Sequence, residues 1–457
     1  MLIDRLIEIA HHSWRSVFSQ HRTLERALRS GIGSLTAVGR RTITNSIQAR
    51  NPSEPDWSAD YKVFSRSPWS EADLFDASFT TFLERYPGRD VPVALDDTKL
   101  RKSGRRIPHA GWQRDPLSPP FRANLIWGLR FLQASVLYPH HTEGELPARG
   151  IPVAFVEAPA LKKPGRRASD QEREIYRREQ RQQNLSRQAL ALIVDLRARL
   201  DLLGGSDRTL VMAMDGGFCN RTVFRSDLDR VTLLARTRKD ARLCLPAWPG
   251  SRRKYDPSTF TPEQVRLDDA IPWRNAELTI GAVRHEFRYK ELTDVLWRGG
   301  AALRHLRLIV IAPQPYRTKG GGGKDYRHPA YLLTTDLVTP AEILIQIYID
   351  RWQIEVNHRE EKDLLGVGQA QVWSEMSVPR QPAFMVALYS LLLLASLLEF
   401  GPGRTSAFAP LPRWRKRAIR PSLLDLLHLI RRKLIEAEIS PPGLAISAST
   451  LVSAAHT

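Results

Sequence analysis

Four polar residues near position 350 have the types and the spacing that phosphate or metal chemistry requires. They are Tyr348, Arg351, Glu355 and Lys362. At about 100° per residue in an α-helix, their side chains project within roughly 60° of one another. One carboxylate beside two cations and a phenol could hold a metal ion while its neighbours hold phosphate oxygens. A solvated helix face with ion pairs has the same pattern, so these four residues alone leave both interpretations open.

A single helix from Pro340 to Leu365 is predicted to present these residues. Thr339 is a plausible N-cap, and Gly366 is a residue type that commonly terminates a helix. The buried face of this helix is predicted to consist of Ile343, Ile347, Ile354 and Leu365.

Two apolar segments upstream end in carboxylates that could complete a metal site. Residues 91–98 read Val-Pro-Val-Ala-Leu-Asp-Asp-Thr, and residues 209–217 contain Asp215 followed by two glycines. A buried strand that ends in an acid can place a metal ligand at the edge of a core. Because successive strand side chains point to opposite faces, Asp96 and Asp97 cannot both face one metal ion. An ordinary turn explains each segment equally well when it is considered alone.

Positive charge is in excess over the whole chain and is dense after the first aspartates. Lys and Arg number 68 against 49 Asp and Glu, which gives a formal net charge of +19. This balance indicates a polyanionic partner such as nucleic acid, although ribosome-associated and membrane-surface proteins share it. A DNA strand laid across the acidic segment would suit the adjacent cluster of Lys99, Arg101, Lys102, Arg105, Arg106, His109, Trp112 and Arg114.

Residues 1–88 are predicted to form a helical DNA-binding domain. A helix from His21 to Ser30, a turn at Gly31–Gly33 and a second helix from Ser34 to Ala49 give the outline of a helix-turn-helix. A plain helical bundle or a dimerisation element would have the same outline. The predicted DNA contacts of this region are Arg40, Arg41 and Asn45.

The chain of 457 residues is long enough for more than one domain. Residues 89–238 and 329–400 are assigned to a catalytic core, because they contain the acidic segments. Residues 239–328 read as short strands and polar turns, which predicts a β-rich insertion. Residues 401–457 are predicted to form a basic, partly helical region with a flexible tail.

Several features predict a cytoplasmic, nucleoid-associated protein. Cys219 and Cys244 are too few for a disulfide framework, or for a zinc site without several histidines at ligand spacing. The first residues form an amphipathic pattern with acids, unlike a signal peptide. The apolar stretch from Pro382 to Phe400 approaches the length of a membrane span. It is predicted to be a buried core helix, and no membrane association is expected.

With Asp97, Asp215 and Glu355 in this order, and Tyr-x2-Arg-x3-Glu-x6-Lys around the last, the chain resembles the DDE transposases of bacterial insertion sequences that carry the Y-R-E-K signature. The resemblance covers roughly residues 91–373 and includes the motifs LDDT and MDGG. It aligns the first catalytic acid with the Asp directly before Thr98, hence with Asp97. It implies an α/β fold, with an RNase H-like mixed sheet flanked by helices and a β-rich insertion.

The resemblance also implies an activity, a cofactor and a partner. Three carboxylates without Cys or His suit Mg²⁺ or Mn²⁺, and two such ions about 3.5–4 Å apart can promote in-line displacement at phosphorus. The ligands would be Asp97, Asp215 and Glu355. The partner would be double-stranded DNA, comprising the terminal inverted repeats and the target, bound by a homodimer on paired ends. Phosphates near the scissile bond would be held by Tyr348, Arg351 and Lys362.

Some details of this activity stay open at the level of the sequence. The element could be excised through a hairpin, and Trp297, Tyr331 and Trp352 are loose candidates for an aromatic that captures a flipped base. Two other functions remain compatible with the same residues. One is a DNA-binding regulator or domesticated derivative that cuts no strand, and the other is an RNase H-like nuclease without strand transfer.

Overall fold

The protein is a mixed α/β structure built around one long sheet. The computed structural model describes residues 2–51, 53, 55–115, 118–119, 121–139, 148–281, 283–316, 325–403 and 419–439. Most of the predicted basic region and flexible tail at 401–457 therefore lies outside the described residues.

Helices dominate both ends of the described chain. The helices are α1 (Leu2–Trp14), α2 (His21–Thr36), α3 (Ile43–Arg50), α4 (Trp57–Ser65), α5 (Asp76–Arg85), α6 (Asp170–Gln183), α7 (Leu185–Leu202), α8 (Arg221–Phe224), α9 (Pro262–Leu267), α10 (Ala341–Asp350), α11 (Trp352–Asp363), α12 (Ser377–Phe400) and α13 (Leu423–Ile439).

Strands occupy the middle of the chain, where the apolar β-branched runs predicted them. They are β1 (Asp90–Arg101), β2 (Gly111–Arg114), β3 (Leu125–Tyr138), β4 (Arg149–Glu157), β5 (Thr209–Met214), β6 (Val231–Arg236), β7 (Arg274–Ile280), β8 (Val283–Leu296), β9 (His305–Ile311), β10 (Pro315–Tyr316), β11 (Asp325–Tyr326) and β12 (Ala330–Thr334).

Five strands form an RNase H-like core in the order β4-β3-β1-β5-β6. Strand β3 is antiparallel to both β1 and β4, whereas β1, β5 and β6 run parallel to one another. Short β2 pairs with the first part of β3. The predicted α/β fold class, an RNase H-like mixed sheet flanked by helices, is confirmed.

Four further strands extend the same sheet beyond β6 in the order β12-β9-β8-β7. Each of these strands pairs antiparallel with its neighbour. Strands β7, β8 and β9 come from residues 239–328, so the segment predicted as an insertion is β-rich and hydrogen-bonded into the core sheet. The division into separate domains stays a prediction.

The two faces of the sheet bury different helices. On one face, Ala94, Ala213 and Leu234 belong to an apolar cluster with α10 and Ile354 of α11. On the opposite face, residues of β1, β5 and β6 pack against α5 and α7. Because both faces are covered, these strands are apolar along nearly their whole length.

Helix α12 joins the N-terminal helices to the sheet. It is long and apolar enough to cross a membrane by composition, but 83% of its most apolar window is buried inside the protein. The ring of Phe384 lies 5.2 Å from that of Trp14 on α1 and 5.4 Å from that of Phe64 on α4. These helices therefore share one hydrophobic cluster with α12, which is the burial expected of a core helix.

The predicted turn at Gly31–Gly33 does not exist, because α2 continues through both glycines. A Cβ atom on Gly33 would lie 2.3 Å from the backbone oxygen of Ser46 on α3, and one on Gly31 would lie 3.2 Å from Leu388. The glycines therefore permit close packing between helices. The turn comes later, where Gly39 has φ of +79°, a conformation that favours glycine.

One helix predicted to be continuous is interrupted, and a second helical stretch divides in a similar way. The helix expected from Pro340 to Leu365 divides into α10 and α11 at Arg351, where the N–H of Ile354 donates to the Arg351 carbonyl at 3.0 Å in a tight turn. The helical stretch from Asp170 to Leu202 divides at Asn184, whose side chain accepts the N–H of Arg187 at 3.0 Å and caps α7.

Candidate active site

Asp96, Asp215 and Arg236 form a row across three parallel strands. The residues that directly precede them are register partners, namely Leu95, Met214 and Ala235. The residues two positions before them all lie on the face covered by α10, namely Ala94, Ala213 and Leu234. Because side chains alternate between faces, this row points towards α10 and α11.

Arg351 lies between the strand acids and the helix acid. Its Nη2 donates to Oε1 of Glu355 at 3.2 Å, and its Nη1 lies 3.9 Å from Oδ2 of Asp96. Its guanidinium carbon is 5.5 Å from the ring centroid of Tyr348. The Arg351 side chain is only 11% exposed, so these contacts occur at the edge of the core.

Part of the Arg351 guanidinium has no hydrogen-bond acceptor among the described residues. Its Nε and Nη1 are both buried and unsatisfied. Leaving such donors unpaired away from water is costly, and the planar guanidinium matches two oxygens of a phosphate or carboxylate. The site thus offers a place for an anionic group next to Asp96 and Glu355.

The two strand acids repel each other in this setting. Burial raises the pKa of Asp96 to about 7, and the neighbouring Asp215 carboxylate adds to that shift, whereas Arg351 opposes it. A divalent cation held between carboxylates would remove this repulsion. The all-oxygen donor set of Asp96, Asp215 and Glu355 is the type that Mg²⁺ and Mn²⁺ prefer.

Asp97, the residue predicted as the first ligand, points to the other face. It is the register partner of Leu132, which packs in the cluster with α7. Burial raises the pKa of Asp97, and the cations that oppose this shift most are Lys99 and Arg130. Strand alternation was foreseen, but the choice between the neighbours depended on which helix covers which face.

Lys362 and Tyr348 converge on the same region as Arg351 and Glu355. Burial lowers the pKa of the Lys362 ammonium, and Asp96 is among the carboxylates that counteract it. Burial raises the pKa of the Tyr348 hydroxyl, and Arg351 and then Arg236 oppose that change. The four residues singled out by their spacing are therefore brought together with the strand acids.

A buried polar layer fixes α11 above Asp96 and Asp215, which together form the acidic row. Nε2 of Gln133 donates to Oε1 of Glu361 at 2.8 Å, and Nδ2 of Asn357 donates to Oγ of Ser135 at 3.1 Å. Gln133 is the register partner of Asp96 on β3. Burial raises the pKa of Glu361 to about 8, so its carboxyl group is mostly protonated at neutral pH.

Four of the predicted DNA-binding arginines are on the surface. Arg40, Arg101, Arg105 and Arg106 are all exposed. Nη2 of Arg101 donates to Asp115 at 2.7 Å, which neutralises part of its charge. The Arg105 guanidinium lies 4.8 Å from the ring of Trp112 and 4.9 Å from that of Trp127, so cation–π contacts hold it in place.

Lys102 was predicted to contact DNA, but it is buried. Its Nζ donates to the carbonyl oxygens of Gly368 at 3.0 Å and Ala370 at 2.8 Å, and burial lowers its pKa to about 8. The ammonium group thereby attaches the segment after α11 to the end of β1. Side chains at this end of β1 alternate between solvent and core, and Lys102 is on the core side. Its ammonium group therefore stabilises the fold and is not exposed to DNA.

Two other predicted contacts are also used internally. The guanidinium of Arg41 is buried and donates to the carbonyl oxygens of Ala37 and Gly39, which closes the turn between α2 and α3. The side chain of Asn45 donates to the carbonyl oxygen of Arg40 at 2.8 Å. Of the three residues predicted in this region, Arg40 is the exposed one.

The three candidate aromatics differ in exposure. Tyr331 is buried and its hydroxyl donates to Glu263, and the ring of Trp297 packs 6.0 Å from that of Phe224. Trp352 is 59% exposed and directly follows Arg351. Trp352 therefore has the most exposed ring of the three.

Arg236 is a site residue that sequence reasoning missed. Arg236 and Asp215 have the same sequence pattern, because each is a charged residue at the end of an apolar strand segment. The charge was positive, so a search for metal ligands passed over it.

The family model described as DDE superfamily endonuclease matches residues 16–304, more than half of the chain. The match includes Asp96, Asp97, Asp215 and Arg236 and ends before Glu355. No curated protein matches the chain.

Proposed function

The chain belongs to the DDE superfamily of endonucleases, and on this premise we propose that it is a transposase that cuts DNA at the ends of a mobile element and joins them to a target. The observation that carries this proposal is the convergence of Asp96, Asp215 and Glu355 around Arg351, at the end of a parallel sheet. DNA as the substrate class follows from the family and agrees with the net charge of +19.

The proposed metal ligands are Asp96 and Asp215 from the strands and Glu355 from α11. Mg²⁺ or Mn²⁺ held there would supply the positive charge that activates an attacking oxygen and stabilises a leaving one at phosphorus. In this proposal Asp96 takes the role that the sequence assigned to Asp97. Its support is the shared sheet face and the mutual repulsion with Asp215.

The scissile phosphate would be oriented by the cations beside the acids. The unsatisfied Nε and Nη1 of Arg351 can each donate to a phosphate oxygen, and Lys362 and Arg236 add positive charge nearby. Such fixed donors hold the phosphorus in line between the attacking and leaving oxygens. Water would attack first, and the freed 3′-hydroxyl of the element end would attack the target next.

DNA on either side of the cut would be held by surface cations. Arg101 is the last residue of β1, Arg105 and Arg106 lie between β1 and β2, and Arg105 is pre-positioned by its two tryptophan contacts. Arg40 adds a further charge beside α3. We propose that a homodimer in the cytoplasm brings two element ends together, as cut-and-paste transposition requires.

The decisive experiment incubates the purified protein with Mg²⁺ and DNA that carries the terminal inverted repeats of its own element. We expect breaks at the element ends and, with a supercoiled target, joined products, both of which disappear on chelation. If the protein cuts the ends but does not join them, and also fails to join pre-cut ends that carry a free 3′-hydroxyl, the result would support a nuclease. Binding without cutting in either Mg²⁺ or Mn²⁺ would contradict the proposal.

A further inference from the structure

A second group of metal-binding side chains lies where α1 meets α2. His11 is in the last turn of α1, His21 is the first residue of α2, and Glu25 follows one turn later. Among the described residues, this is the one group of three His, Cys, Asp or Glu side chains whose ligand atoms all lie within 4.8 Å of one another.

The distances within this group are close to those of a tetrahedral metal site. Nε2 of His11 and Nε2 of His21 each lie 3.6 Å from the same Oε1 of Glu25. This separation is too long for a good hydrogen bond. Bonds of about 2.0–2.2 Å to a tetrahedral ion place two ligand atoms roughly 3.4 Å apart. Both separations between an imidazole nitrogen and the carboxylate oxygen therefore lie within a few tenths of an ångström of this value, and the two imidazole nitrogens lie within 4.8 Å of each other.

Rigid elements hold the three ligands in place. His21 and Glu25 are four residues apart on α2 and therefore lie on the same side of the helix. The indole of Trp14, one turn after His11, is fully buried and donates to the carbonyl oxygen of Leu74 at 3.2 Å, while Leu24 anchors α2 in the same cluster. Ligands on packed helices lose little conformational freedom on binding an ion.

The ligand chemistry selects a metal different from that of the acidic row. Two imidazoles and one carboxylate suit Zn²⁺, whereas Mg²⁺ prefers oxygen ligands alone. The side chains of His11, His21 and Glu25 are 43%, 75% and 20% exposed, so an ion can enter and water can fill the fourth position. We propose that these three residues bind Zn²⁺ and fasten the end of α1 to the start of α2.

Such an ion would stabilise the packing of α1 against α2, the two helices at the start of the described chain. Helix α1 packs against α12, and α2 leads through the buried turn at Arg41 into α3. Because the unfolded chain lacks the assembled ligands, Zn²⁺ would stabilise the folded state in proportion to its concentration above Kd. This role is independent of DNA cutting.

A competing explanation is an ion pair between protonated imidazoles and Glu25, and a metal titration distinguishes the two. Chelator-treated, dialysed full-length protein is titrated with Co²⁺ and then Zn²⁺ in excess Mg²⁺, the ion that the oxygen ligands of the acidic row prefer. The visible absorption of Co²⁺ reports the geometry, and thermal unfolding reports the stability. We expect one tetrahedral Co²⁺ displaced by Zn²⁺, and a higher Tm with Zn²⁺ than with Mg²⁺ alone.

The variants His11→Ala and Glu25→Gln remove one ligand each and should raise the Kd for Zn²⁺ by roughly 100-fold or more. His12→Ala is the matched control, because His12 is exposed on the same turn and outside the group. Unchanged Tm of each variant in metal-free buffer shows that it folds. Equal Zn²⁺ affinity of wild type and His11→Ala, or an equal loss in His12→Ala, would overturn the proposal and leave an adventitious ion only.

Discussion

Asp96 and Asp97 are neighbours on β1, yet the two faces of the sheet give them different surroundings. Asp96 shares its face with Asp215 and lies 3.9 Å from the guanidinium of Arg351. Asp97 lies on the face of the apolar α7 cluster, near Lys99 and Arg130 at its rim. Although they are adjacent in sequence, Asp96 therefore lies in a polar site and Asp97 lies beside a hydrophobic core.

The hydrogen bonds around Asp96 and Asp97 differ as well. Under the Asp96 face, the side chains of Gln133, Asn357 and Glu361 form a hydrogen-bonded layer that sets the position of α11. Around Asp97, the neighbouring cations already have partners, since Nζ of Lys99 donates to the Arg114 carbonyl at 2.7 Å and Nε of Arg130 to that of Ala158 at 2.9 Å. Among the described residues beside the two aspartates, Arg351 near Asp96 has unsatisfied nitrogens, whereas Lys99 and Arg130 near Asp97 each donate to a backbone carbonyl.

The largest expected effect is a contrast between Asp96→Ala and Asp97→Ala. We expect Asp96→Ala to lower the rate of DNA cleavage by about 10³-fold or more, because a metal ligand is lost, while Asp97→Ala changes it less than about tenfold. Single-turnover cleavage with saturating DNA measures both rates.

Asp215→Ala and Glu355→Ala serve as references for complete loss of a ligand. DNA binding by all four variants should stay near that of the wild type. If Asp97→Ala were as inactive as Asp215→Ala while Asp96→Ala kept its activity, the assignment of the two faces would be reversed.

A smaller effect is expected at the cations of the two faces. Arg351→Lys keeps the charge but loses the planar pair of donors, so we expect the cleavage rate to fall by roughly 10–100-fold with little change in DNA affinity. Arg130→Lys is the matched variant on the other face and should alter the rate far less. Similar rate losses in both variants would indicate that the two guanidinium groups contribute alike.

The smallest effect concerns stability and the buried layer under Asp96. Glu361 has a pKa near 8 when folded against an ordinary 4.5, so its ionisation in the unfolded chain destabilises the native state as pH rises from 4.5 to 8. Glu361→Gln retains the acceptor for Gln133 and cannot ionise. We expect the variant to exceed the wild type in unfolding free energy at pH 9, by on the order of a few kcal/mol.

Thermal unfolding at several pH values checks this expectation. The gap between Glu361→Gln and the wild type should shrink towards pH 5, where the carboxyl group of the unfolded chain also begins to bind a proton. A gap of constant size at all pH values would mean that Glu361 acts through packing alone.

Much of the fold followed from local patterns in the sequence. The apolar runs that end near Asp97 and Asp215 are strands of a parallel pair, and the spacing around Glu355 does bring Tyr348, Arg351 and Lys362 to one place. These features were predictable because strand alternation and helical periodicity act between residues that are close in the chain.

Other expectations failed because they depended on distant parts of the chain. Lys102 resembles its exposed neighbours, but carbonyl oxygens of the segment after α11 take up its ammonium group. Gly31 and Gly33 resemble a turn, but α2 continues through both, and the backbone of α3 approaches Gly33 so closely that a Cβ atom would clash with it. Neither contact leaves a sign in the sequence around the residue concerned.

The sequence by itself determined the positions of the strands along the chain, the acids in or directly after two of them and the group of residues around Glu355, since each is set by local spacing. Only the tertiary structure shows that Asp96 faces this group and that Arg236 lies near it. It also shows that the side chains of Arg41 and Lys102 are buried. The physical reason is that alternation specifies two faces of a strand without specifying which helix will cover each one. That choice is made by packing and strand register, which join residues far apart in the chain.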